Sequence, residues 1–452
     1  MDRFGSSGAR GPVESDIRPS TVLEIAQAAV SHWQTDRVVI GRDVRVTGES
    51  LETAAISGAT AAGATVVEVG VVPTPAIQFY ADQHDIPGIV ITASHNPPPD
   101  NGVKLVAPDG GEVSVPTYEA VESKLSPDAL ELAPWDQFGS VTRVDDLADR
   151  YIADVRDAVD TSKIAEAGLK IVVDAGNGTG GYTSPTLCRY LGCEVVTLNA
   201  QPDGHFPGRQ SEPVPDALAD LSKLVSETGS DLGVAHDGDA DRAVFVDETG
   251  TIIEGGATLC ALAAAVSDPG DTIVAAITAP RSLSRVAKQS EANLEMTRVG
   301  AAHLLTTVRE LQQAGERVSI AGEQNGGLIF PSYRLARDGA YALGKILELV
   351  AEKPLSEVVA PFVDRAYRRR DIPLESRGSV DNMLEAVKHW GTQQDGSITA
   401  VDGVRVDLED EWVLIRPSGT EPLVRIYAEA ATEDRAVELL DSVASMIGEE
   451  TE

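Results

Sequence analysis

Thr92-Ala-Ser-His-Asn-Pro-Pro-Pro-Asp-Asn-Gly-Val-Lys104 follows directly on the apolar run Ile86-Pro-Gly-Ile-Val-Ile91. β-Branched residues in a short apolar run mark a buried strand. Pro97, Pro98 and Pro99 then forbid continuation as helix or sheet. Ser94 therefore sits on a stiff loop just past the carboxyl end of a strand, where open α/β sheets bind their ligands. A serine hydroxyl needs a base, a cation or a metal to become a nucleophile, and His95 and Lys104 are the nearest candidates. Alone, the stretch reads first as a Pro-rich surface turn. Three loops further along the chain change that.

Outward from this point, helical and strand patterns alternate. Residues 20–33 read as helix, 37–41 as strand, 42–45 as a charged turn, 50–62 as helix, 65–70 as strand and 73–80 as a turn into helix. Such alternation predicts a mainly parallel α/β sheet. A charged helix in 147–167 closes the first domain, whose opening segment, Phe4 to Gly11, reads as a flexible Gly/Ser loop ending in Arg10.

The second unit restarts with the strand Lys170-Ile-Val-Val-Asp174 and a glycine turn, Gly176-x-Gly178-x-x-Gly181. On its face that is a dinucleotide fingerprint, but the pattern is weak and a tight strand-to-helix turn accounts for it. Asp237, Asp239 and Asp241 alternate ahead of the strand 243–246. Three carboxylates this close repel unless a hard divalent cation neutralises them. Glu248 falls at the twelfth position of an EF-hand loop, yet Arg242 stands where that loop needs glycine and a strand follows. Magnesium on a catalytic loop is the better reading.

The third unit spans about 255–361, with strands at 271–277 and 318–321 and then Gly322-Glu-Gln-Asn-Gly-Gly327. A carboxylate and an amide on a glycine-rich turn can bridge sugar hydroxyls; a plain hairpin turn is the alternative. The basic, Pro-punctuated stretch 361–375 reads as a linker to a last α+β domain. That domain carries Arg416-Pro-Ser-Gly-Thr-Glu-Pro422, a strand over 423–429 and a helix from Glu433. Guanidinium, hydroxyls and free N–H groups around glycine make a phosphate cradle.

These four loops, in order, resemble those of the α-D-phosphohexomutase superfamily: the active-serine loop, the Asp-Gly-Asp-x-Asp-Arg metal loop, the Gly-Glu-x-Ser-Gly sugar loop and the Arg-Pro-Ser-Gly-Thr-Glu-Pro phosphate loop. The resemblance covers essentially the full length. It implies four domains around a central cleft, three α/β domains with mixed sheets and a C-terminal α+β domain. The divisions expected are 1–150, 151–254, 255–364 and 365–452. It further implies a phosphoserine at Ser94 that exchanges its phosphoryl group with a hexose phosphate through a sugar bisphosphate. Mg2+ would be held by Ser94, Asp237, Asp239 and Asp241. Arg10 matches an arginine of the family's opening loop, and Arg10, His95, Lys104 and Arg242 are candidates for proton handling and phosphate contacts. Glu323 and Asn325 would hold the sugar, and Arg416, Ser418, Gly419, Thr420 and Arg425 the other phosphate. Two positions depart from the pattern: Asn325 replaces the serine, and Gly327 stands where some members have histidine. Gly-Glu-Gln at 322–324 resembles phosphoglucosamine mutases; phosphomannomutases and phosphoglucomutases share the variants that follow. A phosphatase using the same serine and metal, and a nicotinamide oxidoreductase resting on the glycine turn, are the other classes.

Composition agrees with a soluble multidomain enzyme: 452 residues, 42% apolar and 24% charged. Cys188, Cys193 and Cys260 lack disulfide or zinc spacing. The chain opens with no apolar signal region and holds no apolar window long enough for a bilayer, so a cytoplasmic enzyme without membrane partners is expected. The net charge of −34, with 28 Arg against 9 Lys and the acids scattered, fits a surface suited to high salt and excludes nucleic acid as an expected partner.

Overall fold

The computed structural model describes residues 4–5, 7–125, 130, 132–374, 380–418 and 423–449. Four sheets follow one another along the chain. The first contains β1 (Ala9–Pro12), β2 (Arg37–Arg42), β3 (Thr65–Val71), β4 (Gly88–Ile91), β5 (Asp100–Val106) and β6 (Val141–Arg143), in the order β1-β5-β4-β2-β3-β6. β4, β2, β3 and β6 run parallel, whereas β5 returns antiparallel beside β4 and β1 pairs antiparallel with β5. The sheet is thus mixed because the proline loop folds β5 straight back on β4 instead of leading into a helix. β1 also corrects the reading of a flexible opening: Ala9–Pro12 is strand, and Phe4 is buried with its ring 4.9 Å from that of Tyr118.

The second sheet holds β7 (Lys170–Asp174), β8 (Glu194–Leu198), β9 (Leu232–His236), β10 (Ala243–Asp247) and β11 (Ile252–Ile253), ordered β11-β10-β9-β7-β8. The third holds β12 (Thr272–Ala276), β13 (Asn293–Thr297), β14 (Val318–Gly322), β15 (Leu328–Phe330) and β16 (Arg334–Arg337), ordered β13-β12-β14-β15-β16. β9 and β12 are buried at every residue, as expected for central strands covered by helices on both faces. One apolar core runs through all three units, joining Val39 and Ile77 to Ile171 and Val234 and on to Leu259 and Ile320.

The fourth sheet is antiparallel throughout: β17 (Ala366–Pro373), β18 (Ser397–Thr399), β19 (Val404–Asp407), β20 (Trp412–Pro417) and β21 (Leu423–Ala430), ordered β17-β21-β20-β19-β18. It has its own core with the helices Val380–Gln393 and Glu433–Glu449. The basic stretch read as a linker is mostly β17, an edge strand paired with β21 along its whole length. Its arginines meet nearby acids, Arg370 lying 2.7 Å from Asp441 and Arg369 bonded to Asp371. An arginine-rich edge strand resembles a linker in sequence because charge on an edge is how sheets avoid further pairing.

Candidate active site

The four loops picked out in the sequence each leave the carboxyl end of a strand: β4 ends at Ile91, β9 at His236, β14 at Gly322 and β20 at Pro417. Ser94 is fully buried and takes φ 52°, a left-handed conformation that costs a non-glycine residue roughly 1–3 kcal/mol. Its surroundings hold it there. The Ser94 N–H donates to Thr92 Oγ1 at 2.8 Å, and Thr92 donates to Asp43 Oδ2 at 2.6 Å. Arg45 does most of the rest. Its Nη1 donates to the carbonyls of Pro97 (2.8 Å) and Asp100 (2.9 Å), its Nη2 to those of Ser94 (2.8 Å) and Asn96 (2.6 Å), and its Nε to Asp43 Oδ2 (3.1 Å). The hydroxyl itself faces the second unit: Ser94 Oγ donates to Asp237 Oδ2 at 2.7 Å and lies 3.4 Å from His95 Nδ1.

Asp237, Asp239 and Asp241 are buried and offer ligand oxygens within 4.8 Å of one another. Cations pin one side of the cluster. Lys104 Nζ donates to Asp239 Oδ2 at 2.7 Å and Asp241 Oδ2 at 2.8 Å, and Thr74 Oγ1 donates to Asp239 Oδ2 at 2.6 Å. Burial pushes the Asp239 carboxyl up, and the Lys104 ammonium more than offsets it, so Asp239 falls well below the carboxylate range. At Asp237, burial, then repulsion from Asp241 and Asp239, outweigh the more distant Arg242 guanidinium and push the carboxyl up to about 8. Arg242 Nε stands 3.8 Å from Asp237 and 3.9 Å from Asp241. His95 is held well below the usual imidazole value by the Arg242 guanidinium, then by burial and Arg10. Lys104 thus lies on the aspartates rather than on the serine, while Arg10 Nη1 reaches the Ala93 carbonyl at 3.4 Å and its buried Nε has no hydrogen-bond partner among the described residues.

Glu323 follows β14 and accepts from the Gly300 N–H (2.9 Å) and from Asn325 Nδ2 (3.3 Å). Asn325 also accepts from the Gly327 N–H at 3.0 Å, so its amide braces the turn at both ends. The backbone bond from Ala243 N–H to the Gly326 carbonyl, 3.1 Å, ties this loop to the metal loop. In the fourth unit Arg416 Nε lies 2.9 Å from Asp402 Oδ2, which also accepts from the Val299 N–H at 3.3 Å. Ser418 and Arg425 are placed beside Arg416 by β20 and β21; Gly419 and Thr420 lie outside the described residues. The glycine turn is packed tightly against its neighbours: a Cβ on Gly178 would stand 2.7 Å from the Gly238 carbonyl, and one on Gly176 2.7 Å from Arg209, so close approach of the metal loop and Arg209 accounts for these glycines without a cofactor.

Comparison with known proteins agrees. Domain families described as phosphoglucomutase/phosphomannomutase α/β/α domains I, II and III and C-terminal domain match residues 1–130, 149–250, 254–365 and 377–446. A "Phosphoglucomutase/phosphomannomutase" of Thermococcus kodakarensis is 38% identical over 450 residues, 97% of this chain and 96% of its own. A "Probable phosphoglucosamine mutase" of Methanopyrus kandleri is 38% identical over 452 residues, 98% of this chain and 97% of its own. The crystal structure of a phosphoglucomutase/phosphomannomutase family protein from Burkholderia thailandensis matches with TM-score 0.88 and 27% identity over 99% of this chain and 97% of that one. The chain belongs to the phosphoglucomutase/phosphomannomutase family. It is a phosphohexomutase of the α-D-phosphohexomutase superfamily, and hence an isomerase.

The phosphohexomutase's acidic cluster fits a divalent cation. Asp239 Oδ1 and Asp241 Oδ1 are buried without hydrogen-bond partners among the described residues, while the opposite oxygen of each is taken by Lys104. One oxygen fixed and one left bare is the arrangement that a hard, oxygen-seeking ion requires of its ligands. Three supporting residues carried no motif of their own in the reading above. Arg45 appeared only as part of a charged turn, Thr74 only as a turn residue, and Glu112 not at all. Arg337, just ahead of Asp338 and Gly339, likewise had no role in the reading above; it donates to Asp241 Oδ2 at 2.7 Å and Glu112 Oε1 at 3.0 Å. The signal available for Arg45 was a long cation two residues after an aspartate at the end of a strand. Its targets are carbonyls, which every sequence has. No helix among the described residues is long and apolar enough to cross a membrane.

Proposed function

We propose that this phosphohexomutase interconverts hexose 6-phosphate and hexose 1-phosphate, with glucosamine phosphate as its first substrate and the phosphates of mannose and glucose as the alternative. The observation that carries the reaction type is the 2.7 Å contact of Ser94 Oγ with Asp237, in a cluster with two bare buried carboxylate oxygens. As phosphoserine, Ser94 gives its phosphoryl group to the free sugar hydroxyl: the Oγ–P bond breaks, the hydroxyl oxygen–P bond forms and the hydroxyl proton passes to a nearby base. His95, held well below the usual imidazole value by the Arg242 guanidinium, burial and Arg10, is the imidazole 3.4 Å from Ser94 Oγ. After the bisphosphate turns over in the cleft, the second phosphoryl returns to Ser94 by the same exchange.

Mg2+ bound by Asp237, Asp239 and Asp241 with the seryl phosphate would neutralise charge that builds on the transferring group. Arg10 and Arg242 reach the same space and bind phosphoryl oxygens there. Arg416, with Ser418 and Arg425, receives the phosphate that does not react, and a sugar bisphosphate primes Ser94. Glu323 supports the aminosugar reading, since a carboxylate with lone pairs beyond its Gly300 and Asn325 contacts accepts from an amine or from hydroxyls. Gln324 beside it and the Methanopyrus relative's name agree. The reading places the enzyme in the cytoplasm.

The test is an isomerase assay at high KCl with Mg2+ and a trace of sugar bisphosphate, offering glucosamine, mannose and glucose phosphates side by side. Highest kcat/KM is expected for glucosamine phosphate; preference for mannose or glucose moves the substrate and leaves the mechanism. Ser94→Ala is expected to abolish turnover, and near-normal rates in that variant would end the phosphoserine reading.

A further inference from the structure

We infer that Gly327 and Arg337 form a single device, in which the missing side chain at 327 is the space that lets Arg337 tie the sugar loop to the metal loop. This rests on Glu323 being the residue that reads the sugar.

Glycines in this loop serve two different needs. Gly326 takes φ 85°, where a side chain is strained whatever its surroundings. Gly327 has no positive φ, so its backbone tolerates any residue and only space demands glycine. That space belongs to Arg337. A Cβ on Gly327 would stand 2.7 Å from Arg337 Cδ and 3.1 Å from Asn325 Oδ1.

The arginine stem cannot swing aside cheaply. It is 4% exposed, and its guanidinium is held from three sides. Nη2 donates to Asp241 Oδ2 at 2.7 Å and to Glu112 Oε1 at 3.0 Å, and Nη1 lies 3.7 Å from Glu323 Oε2. Glu112, Asp241 and Glu323 come from the first, second and third units. One guanidinium thus fixes the sugar carboxylate relative to the metal carboxylate. A planar fork with several donors can do this, and a single ammonium cannot. Arg337 is therefore a positioning residue, and Gly327 is its counterpart across the loop.

The test is a double-mutant cycle on the full chain with Gly327→Ala, Arg337→Met and the two combined. Two readouts are taken: Mg2+ affinity by calorimetry on the unphosphorylated protein, and KM against kcat for the best sugar phosphate. Removing the cation beside Asp241 lets Mg2+ bind about tenfold tighter and raises KM about tenfold, since Glu323 loses its anchor. G327A, by displacing the stem, is expected to move both quantities the same way in the parent protein. In the R337M background it is expected to change neither by more than about twofold. Equal effects of G327A with and without Arg337, or no effect in the parent, would overturn the proposal. Should R337M not fold, G327A in the R337K background replaces it: lysine keeps the charge but lacks the fork that pins the arginine on Glu112, Asp241 and Glu323, so its stem is free to swing away from the new Cβ, and a full G327A effect there again overturns the pairing. If no sugar phosphate turns over, the functional reading fails, while the Mg2+ arm still decides the pairing.

Discussion

Arg45→Lys tests whether the serine loop is held by geometry or by charge alone. The guanidinium offers five N–H donors, and the structure gives each one an acceptor: Asp43 and the carbonyls of Ser94, Asn96, Pro97 and Asp100. Lysine keeps the charge but offers three donors from one point. At least two buried acceptors then lose their donors, at about 1–3 kcal/mol each. The expected loss of stability is about 2–6 kcal/mol, and the left-handed Ser94 at φ 52° is the residue that relaxes first because its strain is no longer opposed. A displacement of about 1 Å at the reacting oxygen costs on the order of 100-fold in rate. Mutase kinetics and urea unfolding of R45K should therefore show kcat lowered about 100-fold with KM changed less than about threefold. A variant with parental kcat, whatever its stability, would refute the argument that Arg45 holds Ser94 in place.

Two further variants separate the phosphate from the metal. Arg416→Ala removes a charge-assisted contact worth about 2–3 kcal/mol, so steady-state kinetics should show KM raised roughly 30- to 150-fold with kcat much less affected. Asp239→Asn removes a bare ligand oxygen and the principal partner of Lys104, so calorimetry should show Mg2+ affinity weakened by roughly tenfold or more.

What the sequence made legible follows the kind of interaction involved. Local patterns carried over well: the strand at 170–174 coincides with the β7 span, and the strand read in the apolar run 86–91 is β4, Gly88–Ile91. The acidic triad was legible because three carboxylates at alternate positions have few other uses. β17 was not, since an edge strand's charged residues look like a solvated linker. Arg45, Glu112 and Arg337 were hidden for another reason. Their partners lie at sequence separations of 49 for Ser94, 225 for the Glu112–Arg337 pair and 96 for Asp241, distances at which only the fold sets the pairing. Gly327 was visible as an irregularity, and its reason appeared only with Arg337 beside it.

The charge of the whole chain and the charge of the cleft oppose each other, and salt separates them. The chain carries −34, yet in the proposed reaction its substrate is an anion that would have to reach Arg10, Arg242 and Arg416. Those cations lie close to acids, so over longer distances an approaching phosphate meets mainly the net negative field. At 0.1 M salt that field reaches about 10 Å, and at 1 M only about 3 Å. The same repulsion acts between the acidic surfaces of the four units and destabilises the compact state. Raising KCl from 0.1 to 2 M should therefore do two things together: raise Tm by about 10 °C and lower KM for the sugar phosphate about threefold or more. A neutral osmolyte at the same concentration should lower KM little, because it screens nothing. If Tm and KM both stay flat across the KCl series, the acidic surface is not an adaptation to salt; if Tm rises while KM does not move, the cleft's own cations already govern capture and the long-range field is irrelevant to it.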